Sequence, residues 1–422
     1  MFYKMVLLFL RVLLPYRVFS AIRNRIDRSK RLLTSNKFLV VFWKILFFPI
    51  RFVFTFISIV IRLLLIWILP ETVYGNIKYM IKLFYSDVVE SKKSVKVALK
   101  RSILFIELVV KGRERKKTFG KENPDKTFFV IRPYYFMTRN ELATSLSDLL
   151  FHYYRNLQQL SYAVQNGWIP VVDWENYGPF RHGEDFPING TTNCWEYYWK
   201  QPSEYTLEEV YRSKNVILAN RNSVNYGFIP SMSLTPPFSR YVNDLADTCP
   251  KYDKLFQLND ETAEYINNHQ KNLFPENAKI LGVSVRGNAY GSRSVVNHPI
   301  QPSIAELAAN VRSYMEEWGM DYIFFTCESA EVVNEMKERF GDKLIFLPRM
   351  RYEKEPSEVA SENPLYAPGR RYQTNLDYMT EMVLLSRCDS LVAGISGGVR
   401  AAIIWNAGKY ENVHIFDKGL WK

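Results

Sequence analysis

The chain reads as an α/β protein in which two Rossmann-like layers follow a helical, basic, membrane-associating N-terminal segment. Three observations predict this. From residue 128 onward, short apolar runs rich in β-branched residues alternate with helix-length amphipathic stretches, the pattern of parallel strands joined by helical crossovers. Residues 1–126 carry 26 Lys or Arg against 8 Asp or Glu, and residues 127–422 carry 29 against 35, so the formal net charge of +12 belongs to the N-terminus alone. The run Ile280-Leu281-Gly282-Val283-Ser284-Val285 ends on Arg286 before a Gly- and Asn-rich loop, as a buried strand does when its carboxyl end opens on a ligand crevice.

This charge split argues against a nucleic-acid-binding globular domain and for a basic segment on anionic lipid. In residues 1–70, Arg23, Lys30, Lys37, Lys44 and Arg51 recur every seven residues on one face of an otherwise Phe-, Ile-, Leu- and Val-rich surface. Such a helix lies in the interface with its cations at the headgroups. The competing reading is a span over residues 52–69, but Arg62 sits inside it and Pro49 just before it, which favours a monotopic or re-entrant anchor. The first apolar run is broken by Arg11 and lacks a small-residue cleavage site, so no cleavable signal peptide is expected. Residues 71–126 read as an amphipathic, Lys-rich connector that ends in a charged linker. Cys194, Cys249, Cys327 and Cys388 match neither a zinc spacing nor a disulfide framework and suit a reducing compartment.

The first globular layer spans residues 127–275. Residues 128–131 are a strand, 141–166 a helix with Leu146, Leu149, Leu150, Tyr153 and Leu157 at helical spacing, and 169–173 the next strand, with Gly167 as the helix stop. Residues 174–250 have little periodicity and many aromatics: Trp174, Tyr177, Trp195, Tyr197, Tyr198, Trp199 and Tyr205. Rings on irregular segments either stack on sugars or pack the loops they sit in, and packing is the stronger reading.

The second layer spans residues 276–422. After the strand at 280–285, Ser303 and Glu306 form a capping box for a helix presenting Ile304, Leu307, Ala308 and Val311. Strands follow at 322–325, 344–347, 390–393 and 413–416. Helices follow at 330–340, closed by Gly341, at 374–387, capped by Thr374 with Asp377 three positions on, and at 398–405. Three strand ends converge on one sheet edge: Ser284-Val285-Arg286, Thr326-Cys327-Glu328-Ser329, and Gly394-Ile395-Ser396-Gly397-Gly398. The last opens a helix, whose free N–H groups and positive dipole end outline a pyrophosphate site together with Ser396. Arg286 and Arg400 add cations, and Glu328 suits a ribose or a purine edge or else caps the helix after it. A structural ion pair is the plainer reading for a lone strand-end Arg. There is no P-loop, no G-x-G-x-x-G, no G-x-S-x-G and no metal pattern among the five histidines.

These residues carry a resemblance. Val283-Ser284-Val285-Arg286-Gly287 with His298-Pro299 beyond it, Phe324-Phe325-Thr326-Cys327-Glu328, and the run from Leu384 to Ser396 resemble, in order, the three motifs of the α-1,6-fucosyltransferase and O-fucosyltransferase superfamily, nearest its bacterial polysaccharide-cluster branch. The stretches 166–173 and 195–211 are similar to those bacterial sequences too, and the likeness covers residues 127–422. It implies a GT-B-like fold with the active site between its layers and a GDP-sugar donor, GDP-fucose by the nearest likeness. It also implies inversion at the anomeric carbon, no metal or other cofactor, and Arg286 as the clamp on the donor's β-phosphate. Ser284, Arg286, Glu328, Ser396, Gly397, Gly398 and Arg400 are then the donor-binding set. The expected partners are a nucleotide sugar, a glycan or lipid-linked saccharide acceptor and an anionic membrane surface, at the cytoplasmic face, in surface polysaccharide synthesis.

The chain departs from the family pattern at several points. Asn288-Ala289 stand where Thr-Asp is usual, Ser294 where animal enzymes have an acid, Ser284 where they have His, and Gly397-Gly398 where a hydrogen-bonding side chain is usual. The general base is therefore unassigned, with His298, Glu328 and Asp173 as candidates. The altered loop keeps a second reading open, a non-catalytic, membrane-docked nucleotide- or carbohydrate-binding relative. A polysaccharide-modifying phosphotransferase is weaker, since its His and metal-ligand patterns are missing.

Overall fold

The computed structural model describes residues 114–132, 148–176, 182–219, 229–230, 234–287, 298–353, 365 and 367–421, all in one compact unit of residues 113–135 and 143–422. The membrane-associating segment and most of the connector fall outside the described residues, as do Glu141, Leu146, Tyr177, Asn288, Ala289 and Ser294. Among the described residues no helix is long and apolar enough to cross a membrane.

The first layer is a sheet of order β1-β4-β2-β3, made from β1 (Arg115–Lys117), β2 (Glu122–Ile131), β3 (Ile169–Val172) and β4 (Ser213–Leu218). β2 runs parallel to β3 and β4, and β1 closes the edge antiparallel to β4. The charged stretch expected as linker thus contains β1 and the outer half of β2. Lys116 and Lys117 suit a sheet edge, where cations discourage pairing with another chain and the ladder to β4 supplies the hydrogen bonds that the side chains do not predict. β4 was missed because only its second half, Val216, Ile217 and Leu218, is apolar and buried.

α1 (Leu149–Gln165) begins later than residue 141. Asp148 is its N-cap, extended in backbone and accepting from the Phe151 N–H at 2.7 Å. Leu149, Leu150, Tyr153 and Leu157 are fully buried, and Gly167 leaves the helix at φ +69°. The aromatic-rich region resolves in favour of packing. Trp174, Trp195, Tyr197, Tyr198 and Trp199 are each at most 2% exposed, and Trp195 stacks on Trp199 at 4.3 Å. Their area is spent on the core beside α2 (Phe238–Thr248) and α3 (Asp260–Leu273), so none presents a face to a sugar.

The second layer contains β5 (Ile280–Ser284), α4 (Ile304–Glu317), β6 (Tyr322–Thr326), α5 (Ala330–Phe340), β7 (Leu344–Ile345), α6 (Arg371–Ser386), β8 (Ser390–Gly394), α7 (Gly397–Asn406) and β9 (Asn412–Phe416). Its strands are all parallel in the order β7-β6-β5-β8-β9. β5 and β8 are buried along their whole length because they are interior strands covered on both faces, as their unbroken apolar runs predict. Local expectations needed three corrections. Ser303 caps α4 through the Glu306 N–H, but the Glu306 carboxylate binds Lys418 Nζ at 2.8 Å and leaves the capping box half made. Thr374 lies inside α6 rather than before it and donates its hydroxyl to the Leu365 carbonyl. β7 stops after two residues, and the chain beyond it turns into an arginine-bearing loop.

Candidate phosphate-binding edge

β5 and β8 are neighbours in the sheet although more than a hundred residues separate them in sequence, and the strand order reverses between them. Crossovers on either side of such a switch point leave on opposite faces, which opens a crevice beyond the carboxyl ends of the two strands. Arg286 stands two residues past the end of β5, and Ser396 two past the end of β8. The last ladder rung between the strands is Ser284 with Ala393.

Arg286 reaches across to Glu328, with Nε 3.7 Å from the carboxylate; both side chains are about a third exposed. The Glu328 backbone is fixed by the Tyr352 N–H, which donates to its carbonyl. Ser396 is the N-cap of α7, its Oγ accepting from the Val399 N–H at 3.1 Å, so its lone pair serves the helix while the Gly397 and Gly398 N–H groups precede the first helical hydrogen bonds. Ser284 is buried inside the edge and accepts from the Thr326 hydroxyl at 2.9 Å. The structure thus brings Arg286, Glu328 and the 394–398 turn together.

The other candidates have contacts of their own. Arg400 is 7% exposed, with its guanidinium 5.3 Å from the centre of the Tyr241 ring on α2. His298 is exposed, and its carbonyl accepts from the Trp421 N–H beside a short bridge between Pro299 and Leu420. Asp173 is fully buried at the end of β3, where its oxygens accept from the Glu175 and Asn176 N–H groups, the Asn176 amide and the Tyr211 hydroxyl. Burial raises its pKa against those bonds, and with its lone pairs committed it organises a loop.

Sequence reasoning missed three groups at this edge. Asp148, the cap of α1, comes over from the first layer: a Cβ on Gly397 would lie 3.1 Å from its Oδ2. Gln301 sits between the two strand ends, 6% exposed. Glu381 on α6 is clamped by two guanidinium groups of the loop after β7, from Arg349 at 2.8 Å and Arg351 at 2.6 Å, with all three side chains at most 6% exposed. A periodic pattern does not reveal single polar residues, and the only sequence signal was the Arg349-Met350-Arg351 spacing beyond an apolar run.

A cavity of about 620 Å³ lies at the opposite edge of this sheet, before β8 and β9, where Asp253, Trp199, Phe256, Trp405 and Lys409 line it. Asp253 keeps some surface there, yet burial pushes its carboxyl up to about 6 in spite of hydrogen bonds from Tyr153 and Trp405. An unfolded Asp titrates near 4, so the folded chain holds this proton more tightly. That contribution to stability is complete below about pH 4 and is lost as pH rises through about 6. Asp253→Asn is expected to flatten this part of the profile and to raise stability at neutral pH, read from thermal unfolding across about pH 4 to 8; an unchanged profile would show that folding does not tighten the hold of Asp253 on its proton.

The described unit is thus an α/β protein with two sheets and an arginine-bearing, helix-opened edge at the switch point of the second. No family model matches the chain, and no curated protein matches it. Among solved structures it is similar to the fucosyltransferase NodZ from Bradyrhizobium, at 15% identity over 66% of this chain and 92% of that one, with a TM-score of 0.37. It is also similar to POFUT1 in complex with GDP-fucose, at 10% identity over 71% of this chain and 100% of that one, again with a TM-score of 0.37. At TM-scores of this size the likeness does not bear on function, which the residues at the edge have to carry. Among the described residues no group of three or more His, Cys, Asp or Glu side chains gathers as metal ligands.

Proposed function

We propose that this chain is a membrane-associated, inverting, metal-independent glycosyltransferase that moves a sugar, fucose from GDP-fucose by the motif resemblance, to a glycan or lipid-linked saccharide in surface polysaccharide synthesis. The observation that carries the reading is that β5, which Arg286 follows, and β8, which leads into the 394–398 turn that opens α7, are neighbours at the switch point. In the transfer an acceptor hydroxyl attacks C1 of the donor sugar and gives its proton to a base or to water, the C1–O bond to the diphosphate breaks, and negative charge builds on the leaving nucleoside diphosphate. A guanidinium fork and the Gly397 and Gly398 N–H groups are suited to hold that charge. Glu328 follows the second strand of the layer, the position from which an acidic side chain accepts hydrogen bonds from ribose hydroxyls.

Calorimetric titration of the full chain with GDP, with UDP and CDP as controls, tests the reading. Selective GDP binding followed by turnover of a GDP-sugar supports it. A folded chain that binds no nucleotide overturns it, and GDP binding without turnover of any nucleotide sugar favours the non-catalytic relative.

The basic stripe supports the membrane part of the proposal, because a lipid-linked acceptor and an interfacial enzyme would share one plane. Changing Lys30, Lys37 and Lys44 together to Glu is expected to release the protein from anionic vesicles in a flotation assay. Retention after charge reversal and an alkaline wash would point to a span instead.

A further inference from the structure

The two halves of the proposed phosphate grip stand on strands that part company beyond their last rung, so something has to set the distance between them. Past Ser284 and Ala393 the β5–β8 ladder ends. The Val285 N–H still finds the Thr326 carbonyl on β6, but the Arg286 N–H has left the sheet, and so has the Ile395 carbonyl. One side chain meets both. Gln301, in the Pro299–Pro302 stretch that leads to the α4 cap, accepts from the Arg286 N–H through Oε1 at 3.5 Å. Through Nε2 it donates to the Ile395 carbonyl at 3.2 Å and to the Pro299 carbonyl at 3.4 Å.

The amide can face only one way, because its partners are a donor on the β5 side and acceptors at Ile395, past β8, and at Pro299 in its own segment. The space it occupies depends on a missing side chain. A Cβ on Gly394 would lie 2.2 Å from Gln301 Oε1 and 2.9 Å from its Cδ, so glycine at the last position of β8 makes room for the amide. Glutamate at 301 would have no hydrogen for the buried Ile395 carbonyl, and an apolar residue would make neither the bond to that carbonyl nor the one from the Arg286 N–H.

We propose that Gln301, seated against Gly394, is the positioning residue of this edge: a buried amide strut that holds the Arg286 backbone and the 395–397 turn at the separation at which one diphosphate is gripped by both. The inference rests on the reading of Arg286 as a phosphate ligand. It names what makes the grip specific for a diphosphate held at two points, since a guanidinium and a helix terminus that could drift apart would each bind an anion weakly. Displacement of such groups by about 1 Å costs up to a hundredfold in productive binding.

The test titrates GDP into the full chain as wild type, Gln301→Met and Gly394→Ala, each also in an Arg286→Lys background, which keeps the charge and a measurable affinity, with thermal unfolding of every variant. Gln301→Met is expected to weaken GDP binding about tenfold or more, and Gly394→Ala, which displaces the same amide without removing it, to do likewise. Both losses should shrink in the Arg286→Lys background, because the strut then positions a poorer ligand; a residue that merely stabilises the fold would cost the same in either background. Undiminished binding by Gln301→Met, or a loss of equal size with Arg and with Lys at 286, overturns the inference while leaving the proposed function standing. A wild-type chain that binds no GDP removes both. Should Gln301→Met fail to fold, Gly394→Ala decides the question by the same criteria.

Discussion

Glu381→Ala is expected to destabilise the unit by about 3–5 kcal/mol, the usual cost of removing one partner from a buried ion pair. Glu381 is 1% exposed on α6 and holds Arg349 through Oε2 and Arg351 through Oε1. Neither guanidinium can shed its proton to relieve burial, although burial does lower the pKa of Arg351. Arg351 also donates to the carbonyls of Cys327 and Leu347, so the whole group ties the loop after β7 to the end of β6. Without the carboxylate, two cations are left together out of water. The loop should loosen, and with it Glu328, whose carbonyl accepts from Tyr352 in the same loop. Chemical denaturation measures the effect, and Glu381→Gln should fall between wild type and Ala because it keeps one acceptor. A loss under about 1 kcal/mol would mean that both arginines reach solvent once the acid is gone, as exposed pairs do.

Arg286→Ala should have the opposite signature, a large loss of binding with little change in stability. The Arg286–Glu328 contact is 3.7 Å long between groups about a third exposed, a kind of pair that contributes on the order of 0–1 kcal/mol to folding. A charge-assisted contact to a phosphate is worth about 1.5–3 kcal/mol, so its loss should weaken GDP binding by roughly 10- to 100-fold. The variant also leaves the Glu328 carboxylate without this cation beside an incoming dianion, which pushes the loss toward the upper end. Calorimetry reads the affinity and thermal unfolding the stability. Unchanged GDP affinity would return Arg286 to the role of a surface ion pair and take the proposed function with it.

Much of the second layer was legible because its strands are interior. Residues 280–284 and 390–394 are buried on both faces, which demands unbroken apolar runs, and such runs stand out in a sequence. Ser303 and Gly341 mark helix ends through interactions made within one turn, so they too could be read without a partner, whereas the cap of α5 is Ser329 and not Glu328. Elements whose hydrogen bonds or burial come from far along the chain were not legible. β1, written Arg115-Lys116-Lys117, is a strand only because β4 lies beside it. Trp174, Trp195, Tyr197, Tyr198 and Trp199 could be assigned to the core only once α1, α2 and α3 were seen around them.

The same division runs through the candidate site. By itself the sequence determined that an arginine follows a buried strand, that Ser396-Gly397-Gly398 open a helix, and that an acidic residue follows the next strand, because each is a local relation between a side chain and the end of its own element. Tertiary structure alone decided that β5 and β8 are neighbours, that Arg400 turns to Tyr241 and Asp173 to the Tyr211 hydroxyl, and that Gln301 joins the two strand ends in the space Gly394 leaves. The physical reason is that strand order and long-range hydrogen bonds minimise the energy of the whole packed layer, so no window of sequence contains both partners of any of these contacts.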